Sequence, residues 1–172
     1  MPYSITAHDS KKLKINKRSL FNVVEFHDNY QRAEREKSLL SQAVSYAHNY
    51  STKLYSLRDN NSNLKGILGF LALSASEVVI NDTKKPIVLI DFLFVNNKYR
   101  GQEYQEFDNE KISAILLEFA INQFYQVREH IGVSYLVLYP DGGNKNEKLV
   151  KFYESMNFKF ATNKHEWMYI KL

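Results

Sequence analysis

Residues 146–158, NEKLVKFYESMNF, place Leu149, Phe152, Tyr153 and Met156 three or four positions apart. That spacing predicts a short amphipathic helix with one apolar stripe, and Asn146 stands where an N-cap belongs. On either side lie SYLVLY (134–139), which reads as a buried strand, the loop PDGGNK (140–145), and HEWMYIKL (165–172), an alternating final strand.

Working back along the chain, IVLIDFLFV (87–95) is apolar at nearly every position, which predicts a central strand covered on both faces. KYRGQEYQEFDNEKIS (98–113) follows, and then a long helical pattern through Ile112, Ile115, Leu116, Phe119, Ala120, Val127 and Ile131. Asp108 or Asn109 suits its N-cap and Gly132 its end. A turn that feeds a helix N-terminus exposes unpaired amides at the positive end of the dipole, a natural seat for pyrophosphate. Earlier still, NDTKKP (81–86) is a turn, KGILGFLALSASEVVI (65–80) a long strand or bent pair, RDNNSN (58–63) a polar loop and TKLYSL (52–57) a strand. Residues 30–49 carry Leu39, Leu40, Ala43, Val44 and Ala47 at helical spacing. KKLKINKR (11–18) alternates only loosely, so an edge strand and a solvated arm both stay open. The whole is one α/β (α+β) domain over residues 1–172.

At 172 residues and 44% hydrophobic content the chain buries one sizeable core. It has no cysteine, which excludes disulfides, thiolate metal sites and a cysteine nucleophile. His8, His27, His48, His130 and His165 are scattered without metal-ligand spacing, so no metal is expected. Neither a Gly-x-Ser-x-Gly elbow nor a P-loop sequence is present. No apolar run is long enough to span a membrane and the start lacks an apolar signal core, so a soluble, cytoplasmic protein without a membrane partner is expected. The net charge of +4 and pI near 9.1 favour polyanions such as coenzyme A or RNA.

Three segments carry a resemblance. NEKLVKFYESMNF is similar to the later motif of the GNAT acetyltransferase superfamily, roughly Asn-x-x-Ala-x-x-Phe-Tyr-x-x-x-Gly-Phe, with Leu149 for the alanine and Asn157 for the glycine. VNNKYRGQ (95–102) resembles the lead-in to that superfamily's phosphate turn, Arg/Gln-x-x-Gly-x-Gly/Ala. Glu103 and Gln105 stand where the glycines belong. If residues 103–110 form an insertion, the helix resumes at Lys111, with Lys111 and Ser113 in the glycine positions. GFLALSAS (69–76) also resembles a strand of GNAT-type toxins of toxin–antitoxin systems.

The resemblance implies a mixed, mostly antiparallel sheet with flanking helices, its fourth and fifth strands splayed. It implies acetyl-CoA as acyl donor, with pantetheine held along backbone near Leu93, Phe94 and Val95. The phosphates would meet Arg100, Gly101 and Gln102 and the backbone of Lys111, Ile112, Ser113 and Ala114. Tyr153 would protonate the leaving thiolate, a role set against that of an anchoring aromatic. Asn146 would bond a pantetheine amide or cap its helix. Asp91 would take the amine proton through water, or face solvent at a splayed edge. The implied activity is acetyl transfer to a primary amine by direct attack in a ternary complex, the acceptor a small molecule or a protein. Alternatives are a toxin acting on aminoacyl-tRNA, with Lys11, Lys12, Lys14, Lys17 and Arg18 toward RNA phosphates, and a binding module that has lost the cofactor. A homodimer is left open.

Overall fold

The computed structural model describes the chain apart from residues 1, 62, 81, 162–165 and 172. Two compact units divide it: Met1–Leu73 with Phe92–Ala120, and Ser74–Asp91 with Ile121–Leu172.

The first unit starts with strand β1 (Tyr3–Ala7), which the sequence pattern did not signal, and continues through helices α1 (Ser10–Asn22) and α2 (Tyr30–His48). Strand β2 (Lys53–Asp59) follows, then β3 (Gly69–Ile80) and β4 (Thr83–Val95), both of which run on into the second unit. A small ribbon of β5 (Glu103–Tyr104) and β6 (Glu110–Lys111) precedes helix α3 (Ile112–His130). Strand order here is β1-β2-β3-β4, with β1 antiparallel to β2 from Tyr3↔Asp59 to Ala7↔Tyr55.

Residues 11–18 belong to α1, neither an edge strand nor an arm. Asp9 starts it, its carboxylate accepting from Lys11 N at 2.9 Å, and Leu20 packs into the core formed with α2. A local cap and a tertiary partner override the weak alternation. One sheet face, with Leu54, Phe70, Ala72, Phe92 and Phe94, meets Leu40, Ala43, Val44 and Ala47 of α2. The opposite face meets α3. Tyr55 edges Phe119 at 5.0 Å, and Gly69 lies so close to the helix and to β4 that a Cβ there would sit 2.8 Å from Leu116 Cδ1 and 2.6 Å from the Phe94 carbonyl oxygen.

Asp108 and Asn109 do not cap α3. Their φ values of 57° and 62° turn the chain within the β5–β6 ribbon, and the helix begins after Lys111. Gly132 has no left-handed φ and follows a helix that ends at His130.

The second unit adds β7 (Tyr135–Leu138), α4 (Glu147–Ser155), β8 (Lys159–Phe160) and β9 (Met168–Lys171), in the order β3-β4-β7-β9-β8. β7 runs parallel to β4 from Ile87↔Tyr135 to Ile90↔Leu138, whereas β9 is antiparallel to β7 and to β8. The parallel ladder stops at Ile90↔Leu138, where β7 ends. β4 is central, but only its Val88, Ile90, Phe92 and Phe94 face is fully covered. Leu89 and Leu93 are half-buried and Asp91 is exposed, against the expectation of burial on both faces. A smaller core of Ile87, Tyr135 and Val137 is flanked by Val78, Leu89, Trp167 and Tyr169.

α4 forms as its spacing predicts, and Asn157 explains the missing glycine after it. Its φ of 67° is left-handed, a conformation asparagine tolerates better than other side chains with a Cβ. Asn157→Ala should therefore cost about 1 kcal/mol, while Asn157→Gly should leave stability within a few tenths. Thermal or urea denaturation of the two variants checks this.

Candidate active site

The phosphate-type turn lies in the first unit. After β4, Asn96 fixes the exit of the strand: its side-chain amide donates to Ile67 O at 2.9 Å, and its side-chain oxygen accepts from Glu25 N at 3.2 Å and Lys98 N at 3.3 Å. A single 3₁₀ turn, Asn97–Tyr99, leads to Arg100 and then Gly101, whose φ of +77° is left-handed. A Cβ on Gly101 would meet nothing within 4 Å, so the glycine serves the backbone and not a crowded neighbour. Gly101 and Gln102 are exposed.

Arg100 faces inward. Its Nη1 donates to Glu36 Oε1 at 2.9 Å and its Nη2 to the Val95 carbonyl at 2.8 Å, and its guanidinium lies 5.6 Å from the Phe94 ring centroid. These contacts occupy donors that the motif reading reserved for phosphate, and they occupy the Val95 oxygen that the same reading offered to pantetheine. Leu93 and Phe94 keep their places on the strand.

Residues 103–110 are ordered, running from β5 through a 3₁₀ turn into β6. Tyr104 and Phe107 are buried, Tyr104 edges Tyr99 at 6.2 Å, and Phe107 edges Tyr3 at 5.5 Å. The ribbon delivers the chain to α3, where Ile112 is buried and Ser113 and Ala114 are half-open. Lys111 is exposed and pairs with Glu103 at 3.5 Å, a surface contact of small energetic consequence.

In the second unit, Asn146 caps α4. Its side-chain oxygen accepts from Leu149 N at 3.3 Å and its amide donates to Asp141 O at 3.1 Å, which ties the preceding loop to the helix. Tyr153, two turns further on, is 7% exposed and packs between Phe152 and Phe158, with ring centroids at 5.4 and 6.0 Å. Burial, followed by the Asp141 carboxylate, pushes its hydroxyl from 10.0 up to about 12. The phenol is thus protonated at all physiological pH, the state a proton donor needs. The same shift makes the proton harder to release by about 3 kcal/mol, so transfer has to accompany departure of the leaving group.

Sequence reasoning missed Glu36 and Asn96, which hold the turn. Glu36 is separated from Arg100 by 64 positions, and no local pattern marks such a pair. Among the described residues no cluster of His, Asp and Glu is arranged to hold a metal ion.

No family model and no curated protein matches the chain. Solved structures match it almost from end to end, and the fold they share with it is the GNAT fold. A structure of a tyrosine-to-phenylalanine variant of the toxin AtaT, bound to the C-terminus of the antitoxin AtaR and acetyl-CoA, is 17% identical, with a TM-score of 0.67 over 98% of this chain and 92% of that one. AtaT complexed with acetyl-methionyl-tRNAfMet is 18% identical, with a TM-score of 0.68 over 98% and 94%. A tyrosine-to-phenylalanine variant of KacT is 14% identical, with a TM-score of 0.69 over 99% and 95%.

Proposed function

We propose that the protein is an acetyl-CoA-dependent N-acetyltransferase that moves an acetyl group to a primary amine by direct attack within a ternary complex. The observation that carries this reading is the match of 98% of the chain to a fold seen with acetyl-CoA bound. The residues here fit that group at the turn: Gly101 takes the left-handed conformation, and it and Gln102 stand open. Acetyl-CoA, when bound, supplies the acetyl thioester.

The chain's own residues then divide the work. Backbone amides of Gly101 and Gln102 and of the first turn of α3 bind phosphate oxygens, with the helix dipole adding to their effect. Lys111 contributes positive charge nearby. Leu93 and Phe94 offer strand backbone to the pantetheine amides. Tyr153 Oη holds the proton that the departing thiolate takes up. Asp91, exposed at the open face of β4, can receive the proton of the attacking amine through water. Asn146 acts as the cap that fixes α4.

A second reading of the acceptor, an aminoacyl-tRNA amine, is favoured by the likeness to AtaT complexed with acetyl-methionyl-tRNAfMet. It is also favoured by charge placement. Residues 10–50 hold eight Lys and Arg against four Asp and Glu, so this stretch alone accounts for the whole net charge of +4. Lys11, Lys12 and Arg18 are exposed on α1.

Acetyl-CoA at a hundred times its dissociation constant should stabilise the fold by about 2.7 kcal/mol, a rise in Tm of roughly 5–10 °C for a chain of this size. Differential scanning fluorimetry reads it without any knowledge of the acceptor. No shift at millimolar ligand, confirmed by calorimetry, would remove the enzyme reading and leave a binding module.

A further inference from the structure

We infer that Glu36 is a positioning residue that sets the phosphate turn through Arg100 and, with its other oxygen, the loop between α1 and α2. The inference rests on the acetyl-CoA reading given above. Glu36 divides its carboxylate: Oε1 accepts from Arg100 Nη1 at 2.9 Å, while Oε2 accepts from the backbone N–H of His27 at 3.0 Å. Its side chain is 16% exposed and that of Arg100 29%, so water competes weakly for the pair.

Arg100 carries the constraint onward. Its second nitrogen binds Val95 O at 2.8 Å, and so the guanidinium straps the end of β4 to the residue that immediately precedes left-handed Gly101. The amides of Gly101 and Gln102 are aimed by a side chain whose position Glu36 dictates. The loop of residues 23–29 is fastened to the same strand exit by other bonds: Asn97 N donates to Glu25 O at 2.9 Å, and Asn97 Nδ2 donates to Asp28 Oδ1 at 3.3 Å. One carboxylate therefore stands at the junction of the turn and this loop.

Glu36→Gln keeps the size and one acceptor but removes the charge. Released from Glu36, the turn has to be ordered by the ligand, at a cost to affinity. We expect acetyl-CoA to bind roughly tenfold more weakly, in keeping with the loss of a hydrogen bond between charged groups, while S-acetylpantetheine, which lacks the nucleotide phosphates, binds as to the parent. Calorimetry with both ligands, alongside Tm, reads this. Equal losses for both ligands, or a lower Tm with both affinities intact, would make Glu36 a merely structural residue and overturn the inference. Tighter binding of acetyl-CoA would also overturn it, because Arg100 would then be a phosphate ligand that Glu36 restrains. Should Glu36→Gln not fold, Arg100→Lys replaces it, retaining a charge for Glu36 while losing the fork that also reaches Val95 O, and the same ligand selectivity is expected. A parent protein that binds acetyl-CoA while Glu36→Gln keeps its selectivity unchanged fails this inference alone, whereas a parent that does not bind acetyl-CoA fails the acetyltransferase reading with it.

Discussion

Tyr153→Phe should lower the maximal rate of acetyl transfer by roughly 10²- to 10⁴-fold, the usual loss when a general acid is removed. The ring itself is a packing element, 7% exposed between Phe152 and Phe158, and phenylalanine preserves it. The Tm should accordingly stay within about 2 °C of the parent, and acetyl-CoA should bind as before. Burial and Asp141 push the hydroxyl up to about 12, so the parent's rate should show no alkaline decline attributable to this group across the physiological range. Steady-state kinetics with a good acceptor, together with a melting curve, decide the matter. An unchanged rate would leave Tyr153 as an anchoring aromatic of α4.

Gly69→Ala should be the most damaging single methyl addition among the glycines. A Cβ there falls 2.6 Å from the Phe94 carbonyl oxygen and 2.8 Å from Leu116 Cδ1. The leucine can rotate, but the carbonyl belongs to the central strand, so β3 and β4 have to move apart or α3 has to lift. Overpacking of this kind costs about 1–3 kcal/mol, and the backbone contact places this case at the upper end. Because α3 begins at Ile112, 3.5 Å from the same added methyl, acetyl-CoA affinity should fall along with stability. Urea denaturation checks the first effect and calorimetry the second. A variant as stable as the parent would mean that the α3–sheet contact is looser than the geometry indicates.

What the sequence reveals depends on how local the determinant is. α4 is legible because its cap, its stripe and the left-handed residue after it all fall within a dozen positions. The centrality of β4 is legible from its nearly unbroken apolar run, although one of its faces proves open at Leu89, Asp91 and Leu93. α1 is not legible: its alternating lysines mimic an edge strand, and the helix depends on Asp9 and on packing against α2. Nor is the β5–β6 ribbon, which depends on Tyr104 and Phe107 finding Tyr99 and Tyr3. Arg100 shows the same limit at the candidate site. The motif names it as a phosphate ligand, while its actual partners, Glu36 and the Val95 carbonyl, are set by the fold.

The charge of residues 10–50 has a kinetic consequence. Elsewhere the chain is balanced, with fifteen of its 23 basic residues matching fifteen of its 19 acidic ones, so its net positive charge is carried by one pole, the α1–α2 segment. A polyanion diffusing toward such a body is turned toward that pole before contact, and encounters there outnumber those elsewhere. The advantage works over a Debye length of about 10 Å at 0.1 M salt, so rising ionic strength slows arrival and leaves departure nearly untouched. Capture of a polyanionic acceptor would thus be governed by the medium, and its retention by the short-range contacts made after docking.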